Sequence, residues 1–230
     1  LISVTGQKLR EKQTTVRANR EFSAGRLKVL FALFRHPELA ASPYRMIAAT
    51  AGVALGAMPT VIAELLEEGS LLRSSGQRRL AASRRLLDEW AQAYALALRG
   101  RTLTARYRAP TIDNWREWAL ASGSLRWGGE PAAVALGCTL VPGVLTIYGD
   151  KLPARLISSA QLAAAGPLDY ERLVELRKPF WGPSPGGLES PEVVPATLVY
   201  ADLLATGSAR CVDAAQMIYD TALAEAFPTT

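Results

Sequence analysis

The chain has 230 residues, 49% of them hydrophobic and 7% aromatic, which leaves room for one large or two small domains with a true core. Its longest apolar runs, LKVLFALF and AAVALG, fall far short of the roughly 20 residues that span a bilayer. Two distant cysteines (Cys138 and Cys211) and a single histidine (His36) make neither a disulfide framework nor a metal centre, and the net charge is +5.

That charge divides unevenly. Residues 1–110 carry 18 Lys+Arg against 8 Asp+Glu (+10), and residues 111–230 carry 8 against 13 (−5). The split points to one basic, nucleic-acid-facing half and one half with another task, although arginines that merely solvate helix faces give the same count. No signal peptide is visible, and the thiol usage fits a cytoplasmic protein. The chain opens on Leu1 rather than Met, so a start residue or short leader is expected to be missing.

In chain order, residues 1–22 are polar and basic and read either as an arm that contacts DNA or as a leader packed on another domain. Arg26 to His36 carries the apolar stripe Leu27, Leu30, Phe31, Leu33 and Phe34 of a helix that Pro37 stops. His36, beside that helix end, reads as a capping or surface residue. Ser42-Pro43 predicts an N-cap with proline at the first position of a second helix. Within YRMIAATAGVALGAMPTVIA, Tyr44 to Ala63, Ala48 is small where two helices cross, and Gly52 stands where the turn needs positive φ. Ile47, Ala51, Val53, Met58 and Val61 fall on the inward faces. This is helix-turn-helix spacing.

A third helix is expected from about Leu55 to Glu68, with Gly69 closing it and Pro59 tolerated in its first turns. Two short strands, Leu71 to Arg73 and Arg79 to Ala81, flank the turn Ser74-Ser75-Gly76-Gln77, which completes a winged helix over residues 23–83. Arg84 to Arg99 predicts a long amphipathic helix with Leu86, Leu87, Trp90, Tyr94, Leu96 and Leu98, within a connecting segment 84–101 that joins domains or pairs two copies.

Residues 102–230 read as a mixed α+β domain, making the whole chain α+β. Short helices are expected over Asn114 to Leu120 and Pro131 to Gly137, and strands over Val144 to Tyr148 and, alternating, Arg172 to Arg177. Trp181 to Pro195 is a loop by composition. Two helices, Pro195 to Ala205 and Ala209 to Ala226, close the chain, and no internal repeat is apparent.

For DNA, the early exposed positions of the third helix would be Gly56, Ala57, Pro59, Thr60 and Ala63. Only Thr60 among them can hydrogen-bond a base edge, while alanine and the threonine methyl can touch a thymine methyl. Tyr44, Arg45, Arg73, Arg78 and Arg79 are the expected phosphate or groove contacts. The rival reading is a winged helix turned to protein binding. For catalysis there is little: no Walker loop follows the glycines of WGGEP, no GxSxG elbow exists, and no enzyme activity, cofactor or metal is expected. The nearest nuclease-like set is Asp150 with Glu175-Leu176-Arg177, which alternating charge on a strand explains equally well. Asp202, inside an apolar helix, is expected to make a capping or interhelical hydrogen bond.

WGGEPAAVALG, PGVLTIYGDKLP and PEVVPATLVYADLLATGSARCVDAAQMIYD, together with the VALGAMPTVIAELLEEGSL helix, resemble the AbiEi family of type IV antitoxins, over roughly residues 25–225. The resemblance implies a two-domain bacterial regulator from a phage-defence operon. Its winged helix would bind and repress its own promoter, and its C-terminal domain would antagonise a nucleotidyltransferase toxin without a stable complex. Tyr44 to Leu66 with Arg73 to Leu80 match the family's DNA-binding element. Gly129, Glu130 and Tyr200 to Leu204, including Asp202, match its C-terminal motif. The implied partners are double-stranded promoter DNA and a cognate toxin, with a homodimer open and no membrane.

Overall fold

A computed structural model describes residues 23–229 of the chain, except 119, 121–124, 167 and 184–191. The basic segment 1–22 therefore lies outside the described residues.

The first helix, α1 (Ala24–Arg35), starts where the Ser23 hydroxyl accepts from the Arg26 amide at 3.2 Å and ends ahead of Pro37. Its apolar residues are buried almost all round, with Leu27, Val29, Leu30, Phe31, Ala32 and Leu33 all closed off from solvent, so it is a central helix rather than a surface one. After a 3-10 turn (Pro37–Ala41), α2 runs Tyr44–Ala51. Its N-cap is Pro43, not the expected Ser42, because the 3-10 turn claims Ser42 through its amide bond to the Leu39 carbonyl.

Gly52 adopts φ 64°, as its place in the turn requires, and the chain axis swings by 116° before the next helix. That helix does not start as an α-helix at Leu55. Leu55–Ala57 is a 3-10 turn, and α3 proper is Met58–Glu67. Pro59 explains this: without an N–H it cannot bond the Leu55 carbonyl, which takes the Met58 amide instead. Ile47, Ala48, Ala51, Met58 and Val61 are buried as their spacing predicts, and Val53 is half-buried.

Strands β1 (Leu71–Ser74) and β2 (Gln77–Leu80) pair antiparallel through a two-residue turn in which Ser75 and Gly76 both have positive φ (50° and 78°). This left-handed pair matches the strand twist. Ser83 caps α4 (Arg84–Ala97), which buries Leu86, Leu87, Trp90 and Tyr94 within the chain, against α1 and the later helix Ala196–Leu204, and leaves Leu96 exposed. Its apolar face thus joins the two halves. A short α5 (Arg99–Thr102) leads into the second half.

There, β3 (Leu103–Arg108), β4 (Arg126–Gly128), β5 (Val144–Tyr148), β6 (Ala163–Ala164) and β7 (Leu173–Arg177) form one sheet in the order β4-β5-β7-β3-β6, with only β5 and β7 parallel. Mixed helices and strands make the chain α+β. The sequence pattern located β5 and β7 but not β3, β4 or β6, and β7 is buried at all five positions rather than alternating, because it is central and covered on both faces. The helix expected over Asn114–Leu120 is only a 3-10 turn, Trp115–Glu117, since Trp118 turns extended (ψ 109°). α6 (Gly129–Ala135) starts two residues before the expected Pro131, which sits in its first turn. The small helix α7 (Ala154–Ser159), α8 (Ala196–Leu204) and α9 (Ala209–Ile218) follow, and α9 ends in a π turn, Tyr219–Leu223, rather than continuing to Ala226. α8 packs on α4, and the core runs without interruption from Leu27 to Phe227. No single helix among the described residues is long and apolar enough to cross a membrane.

Candidate nucleic-acid interface

The start of α3, the start of α2 and the β1–β2 hairpin carry the exposed residues expected to meet DNA. Gly56, Ala57, Pro59, Thr60 and Ala63 are all exposed, as are Arg45 on α2 and Arg73 and Arg79 on the hairpin, where the register Leu72↔Arg79 and Arg73↔Arg78 sets Arg73 and Arg79 on opposite faces of the ribbon. None of these three arginines has an acidic partner among the described residues. Tyr44 and Arg78 are placed differently. The Arg78 guanidinium donates from Nε to the Ala40 carbonyl (2.9 Å) and from a terminal nitrogen to the Ser42 carbonyl (2.7 Å), and lies 5.0 Å over the Tyr44 ring. It fixes the hairpin to the turn before α2, a structural role beside the phosphate or groove contact expected of it. Sequence reasoning missed three apolar side chains in this half: Leu55 is 55% exposed, Met46 43% and Leu72 42%. Only Leu72 carried a signal, standing on a short exposed strand opposite Arg79.

Where α4, α5, β5 and α8 meet lies a buried polar network. Asp202, 1% exposed on α8, accepts from Tyr94 (3.0 Å) and Arg99 (3.2 Å) at one oxygen and from Tyr148 (2.9 Å) at the other, and the two tyrosine hydroxyls lie 2.8 Å apart. Burial first, and then the Asp202 charge, push both phenols well above their ordinary value near 10. Burial opposes the Arg99 charge, but Asp202, with Tyr94 and Glu175, outweighs it and raises that pKa. Tyr200 donates to Asp88 on α4 at 2.5 Å, and its pKa is likewise raised, by burial and by that bond.

The motif around Gly129 is explained by contacts too. A Cβ on Gly128 would sit 2.5 Å from the Tyr148 ring, and Gly129 has φ 51° against Thr146. Glu130 accepts from the Gly143 amide and from Arg210, both at 2.7 Å. The expected motif residues Gly129, Glu130, Tyr200 and Asp202 therefore hold helices and strands together.

From β7 the chain runs straight to the α2–α3 turn. Arg177 donates to the Arg99 carbonyl (2.7 Å), the Lys178 amide donates to the Thr102 carbonyl, and the Gly182 amide donates to the Thr50 carbonyl at 2.9 Å. A Cβ on Gly182 would lie 2.0 Å from the Ala49 carbonyl oxygen, and one on Gly52 would lie 3.2 Å from the Phe180 carbonyl. The loop after β7 grips the end of α2.

Residues 79–224 match the protein family described as a transcriptional regulator, the AbiEi antitoxin of type IV toxin–antitoxin systems. The chain belongs to the AbiEi antitoxin family. No curated protein and no solved structure matches it.

In this AbiEi-family chain the match begins on β2 and takes in α4, the whole five-stranded sheet and the network around Asp202, while α1, α2, α3 and β1 precede it. The motif residues Gly129, Glu130, Tyr200 and Asp202 all fall inside the matched span. The nuclease-like set is not brought together. Glu175 is met by Arg177 (2.5 Å), Arg106 (3.6 Å) and Arg99 (3.8 Å), while Asp150 is exposed past the end of β5. Thr146 is the residue opposite Glu175, which sets Asp150 four residues on, about 13 Å along the strand. Three guanidinium groups on one carboxylate leave it no role as a cation ligand. No cluster of three or more His, Cys, Asp or Glu suited to a metal occurs among the described residues. Both cysteines are buried and unpaired, and burial raises the Cys138 pKa.

Proposed function

We propose that this chain is a cytoplasmic repressor that binds the promoter of its own operon and counteracts a nucleotidyltransferase toxin encoded beside it. In this reading residues 23–83 form a winged helix-turn-helix: α3 enters the major groove and the hairpin lies over the backbone. Residues 84–101 connect it to the antitoxin half, 102–230. The observation that carries the reading is that the start of α3 is exposed and that Arg45 on α2 and Arg73 and Arg79 on the hairpin are exposed with no acidic partner among the described residues. Membership of a family of transcriptional regulators supports it. Such arginines neutralise phosphates, and each contact contributes about −0.9 to the slope of log affinity against log salt.

The test is binding of the full chain to DNA from immediately upstream of its gene, over a salt series with excess nonspecific competitor. A competitor-resistant complex is expected, with a slope that flattens by about one unit for each of Arg45→Ala, Arg73→Ala and Arg79→Ala. Absence of that complex would remove the repressor reading. Relief of toxicity on co-expression, without co-elution of the two proteins, is the expected antitoxin behaviour. The exposed Leu55, Met46 and Leu72 favour a second reading, a winged helix that binds protein, and that reading predicts a shallow salt slope and no effect of the arginine substitutions.

A further inference from the structure

The exposed positions at the start of α3, which would meet base pairs, are nearly without hydrogen-bonding side chains, and the exposed Glu67 lies at the far end of the helix. Leu55, Gly56, Ala57, Pro59, Thr60 and Ala63 compose this face, and only Thr60 carries a polar group. No arginine, asparagine or glutamine lies on it for bidentate readout, because the unpaired arginines stand outside it, on α2 and the hairpin. Leu55 is more than half exposed, in the 3-10 turn that Pro59 imposes just ahead of α3, so it projects from the end of the helix that leads into a groove. The major-groove edge offers one methyl group to such a surface, that on C5 of thymine, and apart from the small C5–H of cytosine the other features there are donors or acceptors that this face would strip of water without replacing it.

Resting on the DNA-binding reading above, we propose that this face recognises thymine C5-methyl groups in duplex DNA. Leu55 is the specificity-determining side chain, and the Thr60 methyl is its companion. The charge pattern favours DNA over protein as the occupant: exposed arginines with no acidic partner among the described residues, on α2 and the hairpin that precede and follow α3 in the chain, suit the phosphates that flank a methyl-lined groove.

The test uses the full chain and the upstream DNA segment, amplified with either thymidine or deoxyuridine triphosphate. Uracil keeps the pairing and lacks only the methyl. Burying one methyl is worth about fourfold in affinity, so loss of two costs about 15-fold. The expected result is that wild-type protein loses about that factor on uracil DNA with its salt slope unchanged. Leu55→Ala and Thr60→Ser should lose affinity on thymine DNA but little more on uracil DNA. Both positions are exposed, and unchanged circular dichroism of the variants confirms that they fold. Equal wild-type affinity for the two DNAs overturns this inference and leaves the DNA-binding reading standing. A uracil penalty that Leu55→Ala retains in full overturns the role of Leu55. Competitor-sensitive binding to both DNAs, or none, overturns the DNA-binding reading and this inference with it.

Discussion

Asp202 is the residue on which the two halves of the chain meet chemically. Its carboxylate stands between α8, α4, α5 and β5, with Tyr94, Tyr148 and Arg99 all donating to it. Replacing it with alanine leaves the largely buried Arg99 guanidinium with the more distant Glu175 at 3.8 Å and the two tyrosine hydroxyls with each other, and removing one member of a buried charged pair costs about 3–5 kcal/mol. Asp202→Ala should therefore lower the urea midpoint sharply at unchanged m-value, while Glu225→Ala on the surface should leave it alone. The tyrosines add a pH dependence. Their folded pKa values are raised, so below the ordinary value near 10 both states keep the protons and stability is unaffected. Above it, the unfolded chain releases protons that the folded chain retains, and stability falls as pH rises, by up to about 1.4 kcal/mol per pH unit for each phenol. Urea titrations between about pH 9 and 12 should show this fall, with tyrosinate absorbance from these two residues appearing only on unfolding. A polar residue inside an apolar helix made Asp202 legible as a hydrogen-bonded group. Its partners were not, because Tyr94 lies over a hundred residues away and pairing at that separation leaves no mark on local pattern.

Among the elements, the α2–α3 turn was legible and its support was not. Gly52 announces itself between two apolar faces because only glycine adopts that φ cheaply. Gly182 sits in WGPSPGG, where any glycine reads as loop, yet it approaches the Ala49 carbonyl so closely that a single methyl has no place to go. In the same way the exact extent of β5 follows from its buried apolar run, whereas β3, with its alternating arginines, and the three-residue β4 gain strand character only from neighbours. Gly182→Ala forces either the loop after β7 or the end of α2 to move, at a cost of about 1–3 kcal/mol. A shift of about 2–4 °C in melting temperature per kcal/mol makes the loss easy to read. The expected signature goes beyond stability. Because the loop holds the turn that positions α3, affinity for the upstream DNA should fall further than it does for a variant equally destabilised elsewhere, such as Leu156→Ala at a buried position of α7. Equal affinity in the two variants would show that the grip does not set the position of α3.

At the scale of the whole molecule the question is whether the basic and acidic halves behave as separate bodies. Composition divides them, but packing does not. Trp90 and Tyr94 on α4 are fully buried; Trp90 stacks on Phe31 at 5.5 Å and donates to the Leu27 carbonyl, and Tyr94 stacks on Trp90 and bonds into the network of the second half. Phe180 and Trp181, from the loop after β7, pack on Phe31 at 5.0 and 5.4 Å, and Phe227 near the chain end meets Phe34 at 5.0 Å. The Arg84 amide donates to the Pro228 carbonyl at 3.0 Å, so the last residues close on the start of the connecting helix. An aromatic core shared in this way cannot lose one half without exposing the other, since each half supplies the cover for rings of its partner. The chain should then unfold in a single transition. Tryptophan fluorescence reports both groups of rings, Trp90 and Trp181 at the junction and Trp115, Trp118 and Trp127 near the outer strand β4, while far-ultraviolet circular dichroism follows the helices. The two signals should give the same urea midpoint. Separate midpoints, with helix loss preceding the change around Trp127, would mean that the first half melts alone, and the tie through α4 and the loop after β7 would then be too weak to carry any state of the second half to the side proposed to face DNA.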